Sequence, residues 1–117
     1  MESSFRSLAA YERSVSLSDD LYEVVGRWRS RDQWSLGIQL LRAIDSIGAN
    51  IAEAVGRTTE ADRRKFLVYA RGSLMETEHW IARAEARGLL PSGYTEKLDG
   101  ISRPLAGLIK RPKPNPH

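Results

Sequence analysis

The chain holds one spacing that could serve metal chemistry, Glu76-Thr-Glu-His79, a Glu-x-x-His. On a helix this places a carboxylate and an imidazole on one face, as in di-iron helix bundles. Such sites need two of these motifs on different helices plus two further carboxylates. The only other histidine is His117, at the end of the chain. His79 therefore reads as a partly exposed helix residue. No nucleophile–His–acid set and no glycine-rich phosphate loop occurs. Zero cysteines exclude thiolate catalysis, disulfides and Cys-based zinc sites. The expectation is a non-enzymatic protein with no catalytic residue, metal or cofactor.

The remaining chemistry is electrostatic. Eighteen Lys+Arg face 15 Asp+Glu, and fourteen of the basic residues are Arg. The guanidinium fork suits carboxylates and phosphates. In an up-down helical arrangement, Arg6, Arg57, Arg63, Arg64, Lys65, Lys110, Arg111 and Lys113 collect at one end. Arg27, Arg29, Arg31, Arg83 and Arg87 collect at the other. Arg27, Arg57, Arg87 and Lys110 suit helix C-termini without further explanation. Arg63-Arg64-Lys65 falls early in a helix, beside the positive end of its dipole, where three cations are unfavourable. Either this is a solvated charge run or it meets a partner anion. The candidate nucleic-acid contacts are accordingly Arg57, Arg63, Arg64, Lys65, Lys110, Arg111 and Lys113, binding phosphate in a salt-sensitive way. Trp28, Trp34 and Trp80 are able to stack on bases, but each reads first as a packing residue.

The elements that would position these groups are helical. A length of 117 residues suits one domain with a core of its own. No apolar run long enough to span a membrane is present. The first eleven residues lack an apolar signal-peptide core, so the expected location is cytoplasmic. Apolar periodicity predicts helices over about 7–28 and 34–55, with a polar break at 30–33. A third follows a Thr58 or Thr59 cap and runs to about 87; a fourth starts from a Thr95 cap. Pro104 inside the fourth should kink or break it. Short connections make neighbours antiparallel. The fold class is all-α, an up-down-up-down four-helix bundle over 1–110 with an extended Pro-rich tail over 111–117.

The second helix is the most informative. Leu36, Leu40, Ala43, Ile44, Ile47, Ile51 and Ala54 form a core face. Leu41, Gly48, Ala52 and Val55 widen it, and Ile38 and Ala49 lie further round. That is too broad for one buried stripe. Either neighbours in the bundle wrap it, or another subunit covers Leu41, Gly48, Ala49, Ala52 and Val55. Its polar residues keep to an arc of roughly 80°. The resulting seam comprises Arg42, Ser46, Asn50 and Glu53, and pairs with Ser73 and Glu76 of the third helix. An Arg42–Glu76 ion pair, a Glu53–Arg57 pair and a Ser46 contact with Ser73 or Tyr69 are expected. The seam is either a solvated edge or a buried network.

The run Gln39-Leu-Leu-Arg-Ala-Ile-Asp-Ser-Ile-Gly-Ala-Asn-Ile-Ala-Glu-Ala-Val-Gly-Arg57 resembles the signature of the 23S rRNA intervening sequence proteins. Phe66-Leu67, Ala70 and Gly72-Ser-Leu-Met-Glu-Thr-Glu78 resemble the family's second block, and Phe5, Leu8 and Tyr11 its N-terminal pattern. The likeness covers roughly residues 5–110. The chain departs from the pattern at Leu41, where a basic residue is usual. It departs also at Asp45, usually apolar or small, and at Ala54 and Val55, usually a Gly and an aromatic. The resemblance implies a ring-shaped homo-oligomer, commonly a pentamer. It also implies a link to ribosomal RNA genes, or to a reverse transcriptase as an accessory protein. The reading is a homo-oligomeric adaptor bound to RNA or DNA through its basic ends. The alternative is a scaffold for a larger protein such as a polymerase, without nucleic-acid contact.

Overall fold

The computed structural model describes Phe5 and residues 8–111; Arg6 and the tail residue Lys113 lie outside the described residues. Helix α1 is Ala9–Val25. Helix α2 opens with Ser30–Asp32, passes through a π-helical turn, Gln33–Gly37, and continues as Ile38–Val55. Helix α3 is Glu60–Ala86 and helix α4 is Tyr94–Lys110. All regular structure of these elements is helical. Helices α1 and α3 each pack on both α2 and α4, which is the up-down-up-down order of a four-helix bundle.

The polar stretch expected to break the chain at 30–33 is instead the start of α2. One of its side chains is used for capping. Gln33 donates from Nε2 to the carbonyls of Val25 and Gly26, each at 3.1 Å, and so satisfies the open C-terminus of α1. Ser35 Oγ donates back to the Arg31 carbonyl at 2.7 Å. At Gly37 the two helices approach so closely that a Cβ would lie 2.8 Å from Val25 Cγ1.

Thr59 caps α3 as its spacing predicts, its Oγ1 accepting from the Asp62 amide at 3.1 Å. Helix α4 begins at Tyr94 rather than after Thr95, because Gly93 supplies the left-handed turn (φ 109°) that starts it. Pro104 does not break α4. Its missing N–H leaves the Gly100 carbonyl free, and Arg13 Nη1 of α1 donates to that oxygen at 2.8 Å. A cation from the neighbouring helix thus replaces the lost helical bond.

The seven residues expected at the core of α2, from Leu36 to Ala54, are all buried. All but Ala43 join Leu17 and Leu21 of α1, Leu67, Leu74 and Ile81 of α3, and Leu98, Ile101 and Leu105 of α4 in one cluster. Gly48 is buried too. A Cβ there would lie 3.2 Å from Tyr11 Cε1 and 3.5 Å from Ser14 Oγ. Gly48 therefore admits α1 of the same chain, which corrects its assignment to a subunit interface.

Candidate functional site

The seam between α2 and α3 sets the register of the bundle. Ser73 Oγ donates to Ser46 Oγ at 3.0 Å. Asn50 Nδ2 reaches the Ser46 carbonyl at 2.9 Å and its hydroxyl at 3.2 Å. Thr77, fully buried, donates to the Ser73 carbonyl at 2.8 Å. The expected Glu53–Arg57 pair is present. The expected Arg42–Glu76 pair is not. Both residues are exposed, and Glu76 Oε2 instead accepts from Trp80 Nε1, one helical turn on, at 3.3 Å. Two long solvated side chains gain little by pairing across the seam. Small hydroxyls and an amide hold the centre, and charges occupy the rim.

The basic cluster at the α2–α3 turn has partners inside the chain. Arg63 bonds Glu60 at 3.2 Å through Nη1 and the Leu108 carbonyl at 3.0 Å through Nη2. Arg64 Nη1 bonds the Ile109 carbonyl at 2.8 Å. Those carbonyls are the open C-terminus of α4, which carries the negative end of its dipole. The cations disfavoured by the start of α3 are thus stabilised by the end of α4. Lys65 lies 3.8 Å from Asp62, and Arg57 sits over the Phe66 ring, 4.5 Å from its centroid. Lys110 and Arg111 are exposed.

The opposite end is arranged differently. Arg27, Arg29, Arg31, Arg83 and Arg87 are all exposed. Arg31 reaches Asp32 only at 3.9 Å, with its side chain 82% exposed. Trp28 Nε1 donates to the Leu89 carbonyl at 3.1 Å and ties the α1–α2 turn to the α3–α4 loop. Trp28 and Trp80 are half-buried, as packing residues should be. Trp34 is not: it is 75% exposed. Its ring borders a groove of about 600 Å³ with Tyr22, Gln33, Ile38 and Leu41, and with Glu23 and Arg27 at the rim.

Apolar exposure is greatest on α1 and α2. Of six exposed large hydrophobics, four (Val15, Tyr22, Trp34 and Val55) belong to these two helices. Ala49 is exposed beside them, while Leu41 and Ala52 are half-buried. Asp45, the charged residue of the α2 stripe, accepts a hydrogen bond from Ser18 of α1.

Among the described residues, no group of three or more His, Asp or Glu is placed to hold a metal ion. His79 is exposed, its ring 4.7 Å from that of Trp80. None of the described helices is long and apolar enough to cross a membrane.

These features define a class: an all-α bundle whose central helices are registered by small polar residues and whose first two helices carry most of the exposed large hydrophobics described. A family model described as 23S rRNA-intervening sequence protein matches residues 6–111, and the chain belongs to that family. No curated protein matches the chain.

Periodicity alone missed two features of the site. The exposure of Trp34 depends on the π-helical turn, which shifts the phase of everything before Ile38. The duty of Arg63 and Arg64 depends on backbone carbonyls 45 residues away. The signal for the second was already in the sequence, as three adjacent cations at a helix start.

Proposed function

We propose that this protein is a non-enzymatic, homo-oligomeric adaptor that associates with nucleic acid. Copies assemble through the α1–α2 face into a closed ring, a pentamer by family likeness, and the basic bundle ends repeat around the ring. The observation that carries the assembly is the exposure of Val15 and Val55, which with exposed Ala49 and half-buried Leu41 and Ala52 leave apolar surface open on α1 and α2. Monomeric proteins rarely leave large apolar patches uncovered. The exposed Ala49, half-buried Ala52 and exposed Val55 let a second helix approach closely, whereas Gly48 serves the chain's own α1. A head-to-tail contact that closes gives a ring, and a ring multiplies the field of each basic end.

The engagement of Arg63 and Arg64 with α4 supports a second reading, a protein-only scaffold. In that reading the apolar face docks a larger protein such as a polymerase, and cations serve the fold. An Ala49→Glu/Val55→Glu variant tests the assembly. It should keep the helical content of the parent and sediment as the 13.2 kDa chain. A variant that assembles like the parent would remove the α1–α2 face from the account. Retention of RNA that falls steeply with added salt supports the adaptor, and retention of protein alone supports the scaffold.

A further inference from the structure

We infer that the end of the bundle formed by the α1–α2 turn is a platform for single-stranded nucleic acid, with Trp34 as the stacking surface and Arg27, Arg29, Arg31 and Arg87 as the phosphate contacts. The inference rests on the nucleic-acid reading above and moves its site from the α2–α3 turn to the opposite end.

Trp34 is the most exposed large hydrophobic residue described in the chain, at 75%. It is nevertheless held on a rigid base. Gln33 before it is bonded to two carbonyls of α1. Leu36 and Gly37 after it are buried, and Gly37 lies against Val25. The backbone is fixed on both sides while the indole faces solvent, so little ordering remains when a flat ligand stacks on it. Tyr22 lies across the same groove and is itself 66% exposed.

Cations lie at the same end of the bundle as this aromatic pair. Arg27 lines the groove with Trp34. Arg31 lies one turn before Trp34 and projects into solvent. The Ser46–Ser73 hydrogen bond sets α2 against α3 so that Arg87 comes level with the first turn of α2. The Trp28–Leu89 bond holds the two loops together there. Glu23, Asp32, Glu85 and Glu96 are the acidic residues of this end, four against the five of Arg27, Arg29, Arg31, Arg83 and Arg87, so the net charge is small and the phosphate contacts depend on where the exposed arginines lie. At the far end, by contrast, Arg57, Arg63, Arg64 and Lys65 already have carboxylate, carbonyl or ring partners.

The combination selects the ligand. Free guanidinium forks bind phosphate, and an exposed indole offers a surface of the kind on which unpaired bases stack. A duplex hides its base faces in the helix stack, so it would use the cations and leave Trp34 idle. An acidic peptide would likewise satisfy the cations without the indole. A single strand uses both, and with little sequence preference.

Fluorescence anisotropy of a fluorescein-labelled uridine homopolymer, about twelve nucleotides long, tests this on the intact chain. Trp34→Ala should weaken binding roughly 5- to 150-fold, the loss of one base stack. Trp34→Phe should restore most of it. Arg29→Glu/Arg31→Glu should weaken binding and flatten its salt dependence, while Lys110→Glu/Arg111→Glu should weaken it far less. The duplex form of the same length should be indifferent to Trp34→Ala. Binding that survives the Trp34 and Arg29/Arg31 changes but disappears with Lys110→Glu/Arg111→Glu would overturn this site and keep the nucleic-acid reading. Absence of binding to any strand or duplex would overturn both. Because Trp34 borders the assembly face, mass is measured alongside. If Val55→Glu, which leaves Trp34 in place, loses as much affinity as Trp34→Ala, the tryptophan acts through assembly and the inference fails.

Discussion

Replacing Arg63 with Met separates a cation that holds the fold from one kept for an external anion. The side chain is only 13% exposed. Met keeps most of the aliphatic stem, so packing changes little. What is lost is the bond to the Leu108 carbonyl at 3.0 Å and the contact with Glu60 at 3.2 Å. A hydrogen bond from a charged donor contributes about 1.5–3 kcal/mol. The Glu60 pair adds about 0–1 kcal/mol, since Glu60 is 43% exposed. The expected loss is about 2–3 kcal/mol. For a chain of this length one kcal/mol moves the midpoint by about 4 °C. Thermal unfolding followed by far-UV circular dichroism should therefore show Tm falling by roughly 8–12 °C. Lys110→Met and Arg111→Met, at exposed positions, should stay within about 0.5 kcal/mol of the parent. An Arg63→Met protein that melts with the parent would refute the carbonyl-capping argument and return Arg63 to the pool of free cations.

Gly48→Val should cost about 1–3 kcal/mol, because the added side chain meets Tyr11 at a spot where even a Cβ sits 3.2 Å away; a denaturant midpoint equal to the parent's would show that α1 does not lie against Gly48. Glu76→Ala should cost less than about 1 kcal/mol, since its carboxylate is exposed and bonds only Trp80; a loss of several kcal/mol in the same assay would restore the buried form of the seam. The Tyr94 phenol is pushed above its ordinary 10.0 by burial first, then by the charge and hydrogen bond of Asp20, with Arg27 opposing. A pKa raised on folding gives stability that is complete below the unfolded value and lost as pH rises through the folded one. Tm should therefore fall more steeply above about pH 10 in the parent than in Tyr94→Phe. Absorbance titration should show one tyrosine of four ionising last; four ionising together would contradict this.

The parts of the fold legible in the sequence are those governed by local chemistry or by periodicity. The seven core positions of α2 follow from helical spacing, and the Thr59 cap from its distance to Asp62. The antiparallel turn near residue 59 was enough to bring Ser46 to Ser73. The same geometry failed for Arg42 and Glu76, because proximity between exposed long side chains does not fix a contact. The break expected at 30–33 failed because Gln33 caps α1 while the stretch itself stays helical. Pro104 kept its helix because Arg13 answers the carbonyl it leaves open. The candidate site was legible only as composition. Which of the two basic ends is free depends on tertiary partners, and the exposure of Trp34 depends on a π-helical turn that a 3.6-residue period does not contain.

The central claim is that the α1–α2 face is covered by further copies of the chain. Sedimentation equilibrium at micromolar concentration tests it most directly. The account predicts a closed assembly at a fixed multiple of 13.2 kDa, five by family likeness. A stable particle of 13.2 kDa, unchanged across concentration, would contradict it.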